Sequence, residues 1–123
     1  MTHDVVALVR ESPTMRTLAD AMVDTGPDLR VREAGGGALL QLHRGDGVAL
    51  VSIEAARRVD VPGEVARLLG SRVAARMPEP CWWVEVRASS TEEAAAELAH
   101  RFADSLTARV GGTVWPEREG EDR

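Results

Sequence analysis

Hydrophobic positions recur with a period of two in some stretches and of three to four in others, and this alternation sets out the order of elements. Residues 4–10 (with Val5, Val6, Ala7, Leu8 and Val9) form an almost unbroken apolar run rich in β-branched side chains, which suits a buried, central strand. Ser12-Pro13 offers an N-cap followed by proline at the first helical position. Met15, Leu18, Ala19, Met22 and Val23 then recur at helical spacing until Gly26-Pro27 ends the helix. Core packing is the expectation for that methionine-bearing stripe. Residues 29–33 alternate as Leu-Arg-Val-Arg-Glu, a half-buried strand with Arg30 and Arg32 outward. Gly35-Gly36-Gly37 reads as a flexible turn, because a strand and not a helix follows it, as a dinucleotide loop would require. Residues 38–43 and 48–53 flank Arg44-Gly45-Asp46-Gly47, a hairpin with Asp-Gly as its turn signal.

The densest information lies in residues 81–115. Residues 81–88 read as a strand, 91–109 as a helix, Gly111-Gly112 as a break and 113–115 as a short return strand. Ser90 and Glu93 have the spacing of a capping box. Ala95, Leu98, Ala99, Phe102, Leu106 and Val110 make one apolar stripe, with Glu97 and Arg101 as an i,i+4 pair on the wetter side. Alternation along the strand sends Trp82, Val84, Val86 and Ala88 to one side and Cys81, Trp83, Glu85 and Arg87 to the other. The second set places an indole beside two charged groups. Either a loop or the stems of neighbouring arginines cover Trp83, or Trp83, Glu85 and Arg87 form an interaction surface, as Trp and Arg do where interfaces carry most energy.

Residues 54–80 are less regular. Asp60-Val61-Pro62 can start a short helix with Val65, Leu68 and Leu69 on its apolar side and Gly70 at its end. Residues 71–77 lead through Pro78-Glu79-Pro80, a stiff extended entry, into the next strand. The stretch is locally basic, with Arg57, Arg58, Arg67, Arg72 and Arg76 against Glu54, Asp60 and Glu64. That set is either a solvated surface with internal ion pairs or a docking patch for an acidic partner or small anion.

The order strand, helix, three strands, short helix, strand, long helix, strand predicts a single α+β domain over residues 1–115. Its sheet is mainly antiparallel, of five or six strands, with the two main helices on one face. At fold level alone this resembles a ferredoxin-like sandwich, which carries no particular function with it. Residues 116–123, without an apolar side chain, are expected to be a disordered acidic tail.

Composition narrows the function. At 123 residues the chain can bury a core without metal or disulfide staples, and 44% apolar with 28% charged residues is ordinary for a globular protein. A net charge of −5 argues against a nucleic-acid binder working through phosphate contacts. Every basic residue is Arg, and Lys, Asn and Tyr are absent, a bias that GC-rich coding explains and that points to a bacterial source. The amino-terminal residues lack a signal-peptide pattern, no apolar run is long enough to span a membrane, and the single cysteine cannot pair internally, so a cytoplasmic location is expected.

Candidate chemistry is sparse. His3, His43 and His100 are scattered and Cys81 is alone, so no metal or cofactor is expected. There is no G-x-S-x-G elbow and no Walker loop. His43 could meet Glu85 across a sheet, the minimum for acid–base work. The expectation is therefore a non-enzymatic protein-interaction or accessory domain (an adaptor, a secretion-type chaperone or an immunity-like protein). Its partner would be another protein or a second copy of itself, with Trp115 in the last strand serving a homodimer, and neither nucleic acid nor membrane. The alternative is a small-molecule-binding or enzymatic domain with a pocket near Trp83, Glu85, Arg87 and His43.

Overall fold

The computed structural model describes residues 2–26, 28–35, 39–61, 63–77 and 80–116. In chain order the elements are β1 (Thr2–Val9), α1 (Met15–Thr25), β2 (Arg30–Ala34), β3 (Leu39–His43), β4 (Ala49–Glu54), β5 (Arg57–Val59), α2 (Glu64–Leu69), α3 (Ser71–Arg76), β6 (Cys81–Ser89), α4 (Ala95–Val110) and β7 (Gly112–Trp115). One antiparallel sheet runs in the order β2-β3-β4-β6-β1-β7, and β5 pairs with β6 beyond the end of β4. The helices α1 and α4 pack together against one face, giving the expected single α+β domain. No helix among the described residues is long and apolar enough to cross a membrane.

β1 is central because it can be buried on both sides: Val5 through Val9 are at most 1% exposed. It pairs with β6 along its whole length and with β7 at its end. Both neighbours are antiparallel to it and therefore parallel to each other, so β6-α4-β7 is a split β-α-β unit around β1. That unit is the part of the ferredoxin-like expectation the sheet contains. Closing it demands glycine at position 112, where a Cβ would lie 2.0 Å from the carbonyl oxygen of Leu8.

The alternation in β6 divides the molecule into two cores. Val84, Val86 and Ala88, with Trp82 partly buried beside them, face the main helices, where α4 contributes Ala95, Ala99, Phe102, Ala103 and Leu106. Small alanines let α4 approach the sheet closely, while Phe102 fills the centre. Cys81 and Trp83 face the other way and join Val6 and Leu8 beneath Val65, Val73 and Met77 from the α2–α3 region.

Several local expectations are corrected. Residues 71–76, to which the sequence pattern assigns no element, are helical, and Val73 and Met77, four residues apart, both bury in the second core. β5 was not foreseen; it has three residues, two of them exposed arginines. The helix α1 is capped by Thr14, whose Oγ1 accepts from the amide of Thr17 at 3.1 Å, two residues beyond the expected Ser12. Ser90 is not the cap of the long helix, which begins at Ala95 with Ala94 before it. The Ser89 hydroxyl accepts from the amide of Thr91 at 3.3 Å, a local turn that delays α4 to Ala95, and Glu92 instead reaches Arg44 at 2.7 Å on the hairpin between β3 and β4. Arg101 donates to the Thr25 carbonyl at the end of α1, 2.9 Å away. The expected tail falls outside the described residues apart from Pro116, as do Gly36, Gly37, Pro78 and Glu79.

Polar straps fix the two main helices side by side. Asp24 accepts from Arg109 at 2.6 Å and from the Ser105 hydroxyl at 2.7 Å. The Arg109 hydrogen bond, then that of Ser105, holds the Asp24 carboxyl below its ordinary value of 3.8.

Two outcomes follow for stability. Gly112→Ala is expected to unzip β7 and cost about 2 kcal/mol or more in denaturant unfolding. Gly45→Ala, where a Cβ meets nothing within 4 Å, should stay within about 0.5 kcal/mol of the parent. A folded-state pKa below the unfolded one means that the Asp24 contribution is present above pH 3.8 and is lost as pH falls through the folded value. Asp24→Asn should therefore lower Tm slightly at pH 5 and pH 7, and the difference from the parent should close below pH 3.8.

Candidate functional site

Six strands at ~4.8 Å spacing make a sheet about 29 Å wide, whereas two helices of roughly 10–12 Å diameter cover about 20–24 Å. α4 rests on β1, β6 and β7 and touches β4, so the shortfall falls at the opposite end, on β2 and β3. There a groove of about 410 Å³ opens between α1 and the sheet edge. Met15, Ala19, Met22 and Val23 form its wall, and Val31, Leu40 and Leu42 its floor.

The wall arises from the helical repeat of α1. At about 100° per residue, Leu18, Ala21, Met22 and Thr25 turn toward the sheet and α4, while Met15, Ala19 and Val23, at i, i+4 and i+8, turn to the side. The stripe expected to be core is thus split. Met22 is 5% exposed, but Met15 is 62% and Val23 61% exposed, and Val31 on the neighbouring strand is 53% exposed. Isolated exposed apolar side chains are ordinary; here three are gathered round one hollow.

Glu33 is the one charged residue of the lining. It pairs with Leu40 across β2 and β3 and so lies on the same face as Val31, which pairs with Leu42. Its carboxylate meets no basic side chain among the described residues. Arg30 and Arg32 take the opposite face of β2, as expected, although Val31 beside them is exposed too.

The residues singled out in the sequence do not converge. Trp83 does lie on the face away from α1 and α4, but α2 and α3 cover it to 8% exposure, and its indole N–H donates to Glu85 Oε1 at 3.2 Å. Arg87 occupies the uncovered half of that face, between Glu54 at 3.2 Å and Asp4 at 3.9 Å. His43 lies beyond the intervening β4 and about five residues along, roughly 16 Å from the level of Glu85. It contacts the Gly47 carbonyl and Gln41. No acid–base pair is assembled between them.

The basic stretch is also divided. Arg67 is bound to Glu64 at 2.6 Å, which raises its pKa, and Arg58 lies 3.7 Å from Asp60. Arg72 and Arg76 belong to α3. Arg57, paired in register with Trp83, and Arg58 line a hollow of about 300 Å³ with the exposed Val61 and Leu68 at its rim. Of the five arginines, Arg57 is thus set opposite Trp83 and Arg58 opposite Trp82.

Cys81 is buried in the second core, and the His3 and His100 rings are 5.8 Å apart. No group of three or more His, Cys, Asp or Glu side chains among the described residues could hold a metal ion. What the main groove can do is sequester apolar surface and attract one cation. Sequence reasoning missed it because it needs the strand-to-helix ratio and the turn of α1 together; the Met15-Ala19-Val23 spacing was the available signal.

Met15→Gln and Val23→Gln are expected to leave unfolding free energy within about 0.5 kcal/mol of the parent while reducing binding of an apolar dye such as ANS. Met22→Ala, removing a buried side chain, should cost about 2–5 kcal/mol.

Comparison with known protein families, curated proteins and solved structures finds no match to this chain.

Proposed function

We propose that the protein is a non-enzymatic protein-interaction or accessory domain, of the adaptor, secretion-chaperone or immunity type, and that it receives its partner in the groove between α1 and β2–β3. The observation that carries this reading is the gathering of Met15, Val23 and Val31, each more than half exposed, around one hollow. Leaving that much apolar surface in water is unfavourable by roughly 25 cal/mol per Å², and a partner that covers it recovers the loss. Apart from Glu33 the groove is lined by apolar side chains, with the methionine thioethers at most weak acceptors, and this composition favours recognition of an apolar surface. The open half of the opposite face, with Glu85 and Arg87, is polar and ion-paired, and exposed ion pairs contribute little to affinity.

Affinity capture from the source cell, quantified by mass spectrometry, tests the reading. The parent should enrich a partner that the double variant Val23→Glu/Val31→Glu loses at least tenfold and that Arg57→Ala retains. A partner lost with Arg57→Ala but kept by the groove variant would move the site to the Trp83 hollow. Capture of nothing specific by the parent would remove the reading.

A further inference from the structure

We infer that the groove accepts one amphipathic α-helix of about three turns from a partner protein, carrying a Lys or Arg that meets Glu33. This rests on the interaction reading above and names the partner's chemistry.

The groove has the length of a short helix and room for one face of it. Its wall is α1, 11 residues long, or about 16 Å. The sheet extends beyond the two main helices by roughly 5–9 Å, less than the ~10–12 Å diameter of a helix, so a helix laid beside α1 would pack its inner face on β2 and β3 and project its outer side past the sheet edge. The lining also selects for a helix. The side chains of Met15, Ala19, Val23, Val31 and Leu42 offer no strong hydrogen-bond partner, so a chain lying over them, away from the open backbone edge of β2, must satisfy its own backbone, as a helix does. An apolar stripe at i, i+4 and i+7 would then interleave with the Met15-Ala19-Val23 ridge.

Charge fixes the remaining feature. Glu33 is the acid of the groove and has no basic partner among the described residues, so a cation on the incoming helix is attracted there. A second copy of this chain adding through β2 is opposed by the strand's own charges. Two-fold pairing centred on Val31 sets Arg30 against Arg32, and pairing centred on Arg32 sets that residue against itself.

The test is a display library of random 15-residue peptides, selected on the parent and counter-selected on Met15→Glu/Val23→Glu. Both substituted positions are more than 60% exposed, and circular dichroism checks that the variant keeps the fold. Enriched peptides should carry apolar residues at i, i+3 or i+4, and i+7, at least one Lys or Arg, and no internal proline. A selected peptide should bind Glu33→Lys at least tenfold more weakly, and changing its basic residue to Glu should restore binding to that variant. Selection of period-two sequences, of acidic sequences, or of nothing would overturn the inference. So would light scattering that shows a dimer dissolved by Val23→Glu. If capture from cells still finds a groove-dependent partner while the library selects extended peptides, the interaction reading stands and the helical partner falls.

Discussion

The pairing of β1 with β6 is the constraint from which the rest of the molecule follows. Their register runs from Thr2 opposite Ser89 to Val9 opposite Trp82, and it fixes the face taken by every side chain of both strands. Because side chains alternate strictly, a slip by one residue would send Val84, Val86 and Ala88 away from Phe102 and bring Glu85 and Arg87 into the main core. With the faces fixed, the apolar end of the reverse face, at Val6, Leu8, Cys81 and Trp83, must be covered, and α2 and α3 do so. The polar end, at Asp4, Glu85 and Arg87, can remain in water and pair charges across strands.

The same constraint explains why a groove exists. α4 is tied by chain connectivity to β6 and β7, on either side of β1, so it settles over that end of the sheet. α1 is held beside α4 by the shared apolar core at Ala21, Met22 and Phe102 and aligned on it by Asp24, Ser105 and Arg109 and by Arg101 to Thr25, which leaves β2 uncovered. The helix pair is thereby held toward the β7 edge, and the floor at Val31, Leu40 and Leu42 is left with one wall. The exposed apolar side chains of α1 are thus a consequence of where that helix is fastened. They are also the feature on which the proposed role depends.

How much of this was legible in the chain differs by element. Period-two alternation in β6, the unbroken apolar run of β1 and the Asp-Gly hairpin are local signals strong enough to stand alone, and they gave the sheet, its two-sided central strand and the fold class. Trp83 was correctly assigned to the face away from α4, and cover by a loop or by arginine stems was one of its two readings, yet cover by helices was not foreseen. The reason is that α3 is only six residues long and is helical because Val73 and Met77 find the second core, a tertiary cause invisible in residues 71–77 alone. The helix starts failed for a related reason: Ser12, Ser90 and Glu93 have capping chemistry, but Thr14 caps α1, and residues 90–94 form turns before α4 begins at Ala95. The groove was least legible. A stripe reading of Met15, Ala19 and Val23 assumes that every apolar helix face finds cover, and only the balance of six strands against two main helices shows that one does not.

The proposed role depends most directly on the helical layer ending short of β2 and β3. Solvent paramagnetic relaxation of methyl signals, recorded on dilute monomeric protein, measures that ending residue by residue. The methyl groups of Met15, Val23 and Val31 should relax strongly, while those of Met22 and Leu42 are shielded. Equal shielding of all five would mean that the chain closes over its own groove, and would contradict the account.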